Sequence, residues 1–600
     1  TGNDCCLIII NLFCLVDTSR GQGSSGGWTQ RGCDLLNDPP PAPSRALLTR
    51  SPTHLTMTPP SPDATRRRPP IDALPTELLA YILTLATHAP DAEPRPATVP
   101  DPEQEGGDMC TYQPFDAASV KRPLRYAGTC RRWRAVAFDT PLLWTNICVT
   151  PDMFVPGCPA DGGDEVLDTC WLELYCRLSR NRALDILIDG RDMEWRHADP
   201  RCYTPWFTTN HMTHALSVLL PHLGRWRSIS VLTDVYSPMH VALKALDTFL
   251  VAYGAPFLES IRLMRCDAYA AFSRDSPVSD PAQLFLASAT NHRGLLPSLR
   301  HLTMRGVPAC WSSVAAQLTD KLCSLEISHL PRPAQPTVTN FVVLLSAAKN
   351  VSRLVMNGAG PSLQDVGQDF LDSAPIGPSL PLLSHVVLGI RKTAVGFALL
   401  HMLHGAPKMH HLTLEDASDP AERRSVDCAP LIAFLHLRPN AGLFPTLAEL
   451  RLRRVRFGGP VPPGAHVPYL ELISVEPNAL DVQADEVCIR GPIQLPRRPL
   501  ALSIEDSCDM VQTMCLGKGD KAPRLVTVHE FEGPDGDGLR EYRNFGSTEM
   551  RIVTRASRCA EWWEESSNAP SSDSEDSEVG SSKLRRGSDP YKLDWPLELY

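Results

Sequence analysis

The 600-residue chain predicts an α+β or α/β solenoid behind a small helical module, with disordered ends. Three observations carry that fold class. Between Trp226 and Val475 a short pattern recurs: apolar, two others, apolar, one other, apolar. Apolar helix-like stretches such as ALKALDTFLVAY and FALLHMLHG fill the gaps between recurrences. Ahead of them, segments 74–86 and 130–144 place apolar residues at helical spacing. A strand–helix unit of this kind leaves one face unburied until its neighbour stacks on it, so repetition implies an array.

Composition bounds the function classes. A hydrophobic content of 43% is enough for sizeable cores, while 56 prolines imply many breaks and loops. A net charge of −10 argues against a general nucleic-acid binder, which carries a basic field. The 19 cysteines are scattered, with no Cys-x-x-Cys pair, and many lie in apolar runs, as Cys130, Cys176 and Cys323 do. That usage reads as small buried hydrophobes in a reducing compartment, cytoplasmic and/or nuclear. The sequon Asn350-Val351-Ser352 then counts as chance.

Along the chain, the apolar run CCLIIINLFCLV at 5–16 is too short to span a bilayer and lacks the basic flank of a secretory signal. No membrane association is expected. Gly21, Gly23 and Gly26 spell G-x-G-x-x-G, and 23–27 spell G-x-S-x-G. Each motif needs a strand before it and a helix after it, whereas prolines follow here. Residues 1–56 are therefore expected to be a non-native or disordered extension, and 58–70 a proline-rich basic linker. Together, 1–70 hold no chemistry.

Leu74-Pro75 opens a helix, with proline where its missing amide costs nothing and Glu77 in the first turn. Leu74, Leu78, Ile82 and Leu85 line one face, and Leu79, Leu83 and Ala86 another. Two apolar faces on one short helix need two burial surfaces, one of them outside the module. A disordered insertion is expected over 88–122, rich in Pro, Gly and acids. A second stripe, Tyr126, Cys130, Trp133 and Ala137, is flanked by Arg131, Arg132 and Arg134; Thr140-Pro141 ends it, and Leu142, Leu143 and Trp144 follow. The module is expected over 71–148 and the array over 165–556.

In the array, Trp171 to Leu178 suits a helix, and Leu184, Ile186 and Ile188 a strand. The recurring triplets begin with Trp226, Ile229 and Val231 and end with Leu470, Ile473 and Val475. Strands are also expected at 502–504, 525–528 and 550–553. The alternative is an ordinary set of βα units in a Rossmann-like sheet. Residues 557–600 hold serines among acids and are expected to be disordered. Ser572, with Glu575 three residues on, fits an acidophilic kinase pattern, and Ser588 after Arg585-Arg586 a basophilic one.

Candidates for catalysis are sparse. His401 and His404 lie near His410 and His411, with no H-E-x-x-H and no carboxylate at a third ligand's spacing, so neither metal nor cofactor is expected. Trp562-Trp563 reads as a cap or docking pair rather than a base-stacking platform. A hydrolase using the amino-terminal Gly-Ser motif is the enzymatic alternative.

The paired segments, with Leu74, Pro75, Cys130, Arg132, Trp133 and Trp144, resemble an F-box, and the array resembles irregular leucine-rich repeats. WLELYCRLS, LDILID and LLPHLGRWRSISV are similar to the large F-box families of mushroom-forming fungi. The resemblance implies a non-catalytic receptor of an SCF-type ubiquitin ligase. Its F-box would bind a Skp-type adaptor, and through it a cullin and a RING subunit, while the repeats hold a protein substrate. Adaptor contact would fall to Leu74, Pro75, Leu78, Ile82, Cys130, Trp133, Leu143 and Trp144. Alternation along strands selects His301, Thr303, Arg305, Arg353, Asn357, His411, Thr413, Glu415, Glu449, Arg451 and Arg453 for the substrate. The competing readings are a Skp-bound scaffold without a ubiquitination role and a repeat protein whose F-box binds nothing. The Asn or Cys that ends each strand of such repeats is matched only by Cys266, with Val307, Leu330, Ala359 and Arg391 at equivalent places.

Overall fold

A computed structural model describes residues 71, 74–88, 115, 117–156, 165–191, 206–265, 284–363, 377–403, 406–418, 426–437, 447–456, 466–473, 483–490, 525–532, 538–545 and 548–556. The expectations for 1–70, for the insertion up to 114, for a strand at 502–504 and for the tail beyond 556, including Ser572, Ser588 and Trp562-Trp563, lie outside these residues. The chain divides into two units, Thr1–Leu79 and Ala80–Tyr600. The first helix, α1 (Thr76–His88), crosses that division.

Among the described residues, fifteen strands form one sheet, and each pairs with the strand next in the chain except where hairpins intervene. In chain order the strands are β1 (Asn146–Val149), the separate hairpin β2 (Phe154–Pro156) and β3 (Glu165–Leu167), β4 (Leu184–Gly190), β5 (Trp226–Thr233), β6 (Ser260–Arg265), β7 (His301–Arg305), β8 (Ser324–Ser328) and β9 (Arg353–Asn357). They continue with β10 (His385–Ile390), β11 (His411–Asp416), β12 (Glu449–Arg453), β13 (His466–Ile473), β14 (Gln483–Arg490), β15 (Leu525–Glu532), β16 (Gly538–Phe545) and β17 (Thr548–Ala556). All pairs in the large sheet are parallel except β16 with β17. A doubly wound sheet reverses its strand order at a switch point. From β1 through β15 the large sheet follows chain order with no switch point, and only the terminal β16–β17 hairpin reverses, which removes the Rossmann-like alternative.

The helices that cross between strands are α4 (Cys170–Leu178), α5 (Thr209–Leu219), α6 (Tyr236–Tyr253), α7 (Trp311–Gln317), α8 (Val338–Ala347), α9 (Thr393–Met402) and α10 (Ala429–Leu437), after α2 (Arg122–Thr129) and α3 (Arg131–Asp139). Each buries an apolar stripe, such as Met239, Leu243, Leu246 and Leu250 of α6. Covered parallel strands are the arrangement in which a βαβ crossover places helices on the sheet.

In-register pairing turns the recurring pattern into continuous rows. Ile186, Ile229, Ile261, Leu302, Leu325, Leu354, Val386, Leu412, Leu450 and Leu470 are mutual neighbours across the sheet. Every one is buried. A second row runs from Ile188 through Met304 and Met356 to Leu472. These rows are the inward face of the core, and burying each Leu or Ile contributes on the order of 2 kcal/mol.

The place taken by asparagine or cysteine in regular repeats is apolar here. Gly306, His329, Gly358 and Arg454 all have positive φ, from 52° to 64°. The turn lets the next residue point back inward, and Val307, Leu330, Ala359 and Val455 are fully buried. A left-handed residue suits glycine best, so His329 and Arg454 carry a small backbone cost. Arg391 differs: its guanidinium reaches the carbonyl of Leu330 at 3.0 Å, lying where a Cβ on Gly358 would stand 3.3 Å away.

Four expectations need correction. The last triplet is Val467, Leu470 and Leu472, not Leu470, Ile473 and Val475, because Leu470 pairs with Leu450 and Leu472 with Leu452. Both phases are apolar, so only pairing could choose. The array begins at β1 within 146–149 rather than at 165, since β1 pairs with β4. The described structure includes a 3-10 turn at Ala117–Lys121, inside the expected insertion, that buries Ser119 and Val120. Of the three cysteines expected inside, only Cys176 is buried; Cys130 is exposed and Cys323 half-buried. β14 and the hairpin strand β16 were not expected at all.

Candidate functional site

The residues of the helical module separate by burial. In the first unit Pro75 and Leu78 are exposed, Leu74 is half-buried and Leu79 is buried. In the second unit Tyr81, Ile82 and Leu85 of α1 are 61%, 43% and 50% exposed, while Leu83 and Thr87 are buried. Thr87, not Ala86, continues the inner face, and its hydroxyl is satisfied by the Leu83 carbonyl at 2.8 Å. The outer stripe therefore has three large apolar side chains in water, the arrangement expected of a helix with an absent partner.

The carboxyl end of α1 is held by polar contacts within the second unit. Arg122 Nη1 donates to the carbonyls of Ala86 (2.6 Å) and Thr87 (3.3 Å), capping the helix end with a cation where the dipole is negative. His88 Nε2 donates to the Leu142 carbonyl at 2.8 Å, which leaves Nδ1 to accept from Asn146 Nδ2 at 3.4 Å. Asn146 also donates to Ser119 Oγ at 3.4 Å, so the end of α1, the 117–121 turn and β1 are linked.

The expected stripe from Tyr126 to Ala137 is two helices, not one. Cys130 lies between α2 and α3 in extended conformation, and its sulfur accepts from the Trp133 amide at 3.5 Å as an N-cap. Tyr126 and Trp133 then meet edge-on, ring centroids 6.1 Å apart, both half-buried. Leu143 and Trp144 are fully buried. Trp144 Nε1 donates to the Ala137 carbonyl at 2.8 Å, and its ring meets Tyr175 at 4.9 Å. Neither side chain is exposed for contact with a partner, and both belong to the core that joins α3 to the first strands.

All eleven substrate candidates lie on one face of the sheet, between the apolar rows. One row runs Ser260, His301, Ser324, Arg353, His385, His411 and Glu449; the next runs Arg262, Thr303, Glu326, Val355, Val387, Thr413, Arg451 and Glu471; a third holds Arg305, Ser328, Asn357, Gly389, Glu415 and Arg453. Thr303, Arg305 and Glu415 are buried, so they shape this face more than they present it. Arg262, Glu326, Ser328, His385 and Glu471 were missed, although the same alternation marks them. Gly389 has a steric reason: a Cβ there would stand 2.0 Å from Asn357 Oδ1, and without it Asn357 Nδ2 reaches Glu415 at 3.4 Å.

The charges on this face are uneven. Over β11–β13, His411 Nδ1 lies 2.6 Å from Glu449 Oε2, Arg451 pairs with both Glu449 and Glu471, and Arg453 faces Glu415 at 3.8 Å. Burial alone would raise Glu449, yet the His411 hydrogen bond and Arg451 hold its carboxyl below the usual value. His385 and His411 stack, centroids 4.2 Å apart. At the ends of β7–β9 the sign is positive. Burial, then Arg305, Arg391 and Arg454, hold the His329 imidazole well below its ordinary value. Burial with Arg300 and Arg262 lowers His301, which Glu259 partly offsets.

That depression makes stability depend on pH with a definite sign. Above about pH 6.5 His329 is neutral in folded and unfolded chains alike. As pH falls below that value the unfolded chain protonates first, so stability declines by up to about 1.4 kcal/mol per pH unit for this group. Denaturant midpoints at pH 7 and 5.5 should differ less for His329→Asn, a residue that tolerates the left-handed backbone, than for wild type. Equal differences would show that His329 is not the group responsible.

Among the described residues no group of three or more His, Cys, Asp or Glu side chains could hold a metal ion, and no helix is long and apolar enough to cross a membrane. No protein-family model matches the chain, and no curated protein is similar to it.

Proposed function

We propose that the chain is the substrate-recognition subunit of an SCF-type ubiquitin ligase, with α1 docking a Skp-type adaptor and the polar face of the sheet holding a protein substrate. The exposed apolar stripe Tyr81, Ile82 and Leu85, on a helix whose other side is buried, is the observation that carries the reading. The resemblance of 74–144 to an F-box supplies the adaptor's identity, and that of the array to leucine-rich repeats supplies the receptor role. Such a subunit makes no bond itself. It raises the effective concentration of a substrate lysine beside the charged conjugating enzyme. Within the expected adaptor set, the second-unit contact moves from the buried Leu143 and Trp144 to Ile82 and its exposed neighbours, with the half-buried Trp133 as a further candidate.

The test is co-purification with the adaptor. Wild type should retain it, and Ile82→Asp with Leu85→Asp should lower retention at least tenfold without changing the melting temperature, since both side chains already face water. If wild type retains no adaptor, or the double variant retains it fully, the reading fails.

A further inference from the structure

Residues 89–116 separate α1 from the turn that begins at Ala117. A segment of that length can close on many end geometries at little extra cost, so the covalent path does not dictate the angle of the helix at its end. Contacts across the gap do. Arg122 of α2 donates to the Ala86 and Thr87 carbonyls, 36 and 35 residues back in the chain. His88 donates to the Leu142 carbonyl of the 3-10 turn Pro141–Trp144, 54 residues on, and accepts from Asn146 of β1, 58 residues on. The last carbonyls of a helix point along its axis, so the Arg122 bonds resist tilt, while the bonds of the His88 ring resist rotation about the axis. Leu83, Thr87, Ser119 and Asn146 are all buried, so these bonds sit on a packed core.

The angle matters because the sheet is long. β1 is the first strand of the array, so what is held to β1 is held to every strand after it. His411, a substrate candidate on β11, stands eight strand steps from β1, about 38 Å along the sheet at ~4.8 Å per step. A tilt of about 10° at α1, within the tolerance of a well-held site, would already carry it about 7 Å. A misplacement of ~1 Å caused far from the chemistry can cost about 100-fold in rate.

We propose that His88 and Arg122 are positioning residues: they hold the docking stripe Tyr81, Ile82 and Leu85 at a set angle to the polar face of the sheet, so that an adaptor on α1 also sets where a substrate on the sheet stands. The length of 89–116 is then free to vary without moving that stripe. The purpose of the fixed angle rests on the adaptor reading. The angle itself is measured without the adaptor, so the two can fail separately.

The test is double electron–electron resonance on the full chain, with spin labels at Tyr81 and at Lys244, an exposed residue of α6. Unnatural amino acids carry the labels, because the chain has 19 cysteines. The otherwise wild-type chain should give one narrow distance distribution. His88→Ala with Arg122→Ala should broaden it roughly twofold, as a helix end that swings beyond about 10–20° does. His88→Gln, whose amide can donate to Leu142 and accept from Asn146, should keep it narrow, which a role in packing alone would not predict. His88→Ala alone, at an exposed residue, should broaden it part of the way and keeps the test open if the double variant melts early. Replacing 90–113 by a Gly-Ser segment about half as long should leave it unchanged. In unlabelled chains, adaptor retention by the double variant should equal that of wild type, since neither residue lies in the docking stripe. A broad distribution with His88 and Arg122 in place, a double variant as narrow as wild type, or a distribution that follows the length of the 90–113 replacement overturns the inference, whether or not the adaptor binds.

Discussion

Replacing Trp144 by alanine should cost the fold about 3–5 kcal/mol, the range for deleting a buried aromatic residue that cannot be refilled. Its indole is fully buried, donates to the Ala137 carbonyl and packs against Tyr175 and Phe138. Tyr175 in turn donates its hydroxyl to the Val120 carbonyl, so the loss would spread from α3 to the 117–121 turn and α4. The ring pair alone is worth roughly 0.5–1.5 kcal/mol beyond its area. Equilibrium urea unfolding measures the cost. A stability within 1 kcal/mol of wild type, with a selective loss of adaptor retention, would instead make Trp144 a contact residue and would contradict its burial.

The second large effect is expected at Arg451. Its guanidinium pairs with Glu449 and lies 3.0 Å from Glu471, whose side chain is 3% exposed. Removing one partner of a buried pair costs about 3–5 kcal/mol, because the remaining charge has been taken out of water. Arg451 keeps 24% of its side-chain exposure, so Arg451→Met should fall at about 2–4 kcal/mol. Neutralising the survivors tests the cause. Arg451→Met combined with Glu471→Leu should recover part of the loss, since Glu471 is then no longer a stranded charge while Glu449 keeps its hydrogen bond to His411. A double variant no more stable than the sum of its parts would assign the cost to packing instead.

The repeated strands were legible because each places two apolar residues one apart, and in-register pairing makes those positions continuous rows. The alternation that selected His301, Thr303 and Arg305 was legible for the same reason: side chains of a strand alternate by geometry, whatever the sheet. The slip at β13 shows the limit. Leu470, Leu472, Ile473 and Val475 satisfy two phases equally, and only the pairing of Leu450 with Leu470 selects one. The two-faced helix was legible too, down to which face carries Leu78, Ile82 and Leu85. Which of the two faces is buried was not, because helical spacing is blind to what lies beside it.

By itself, then, the sequence determined the strand–helix class of the repeated units and the period at which apolar residues return. These follow from local rules of backbone geometry that act within a few residues. The tertiary structure alone decided that Trp144 and Leu143 are core, that Cys130 breaks a helix in two, and that Val307, Leu330, Ala359 and Val455 fill the inner turn. Burial and pairing depend on groups tens of residues apart in the chain, as Arg451 and Glu471 or Asn357 and Glu415 are, and no local pattern records which of them will meet.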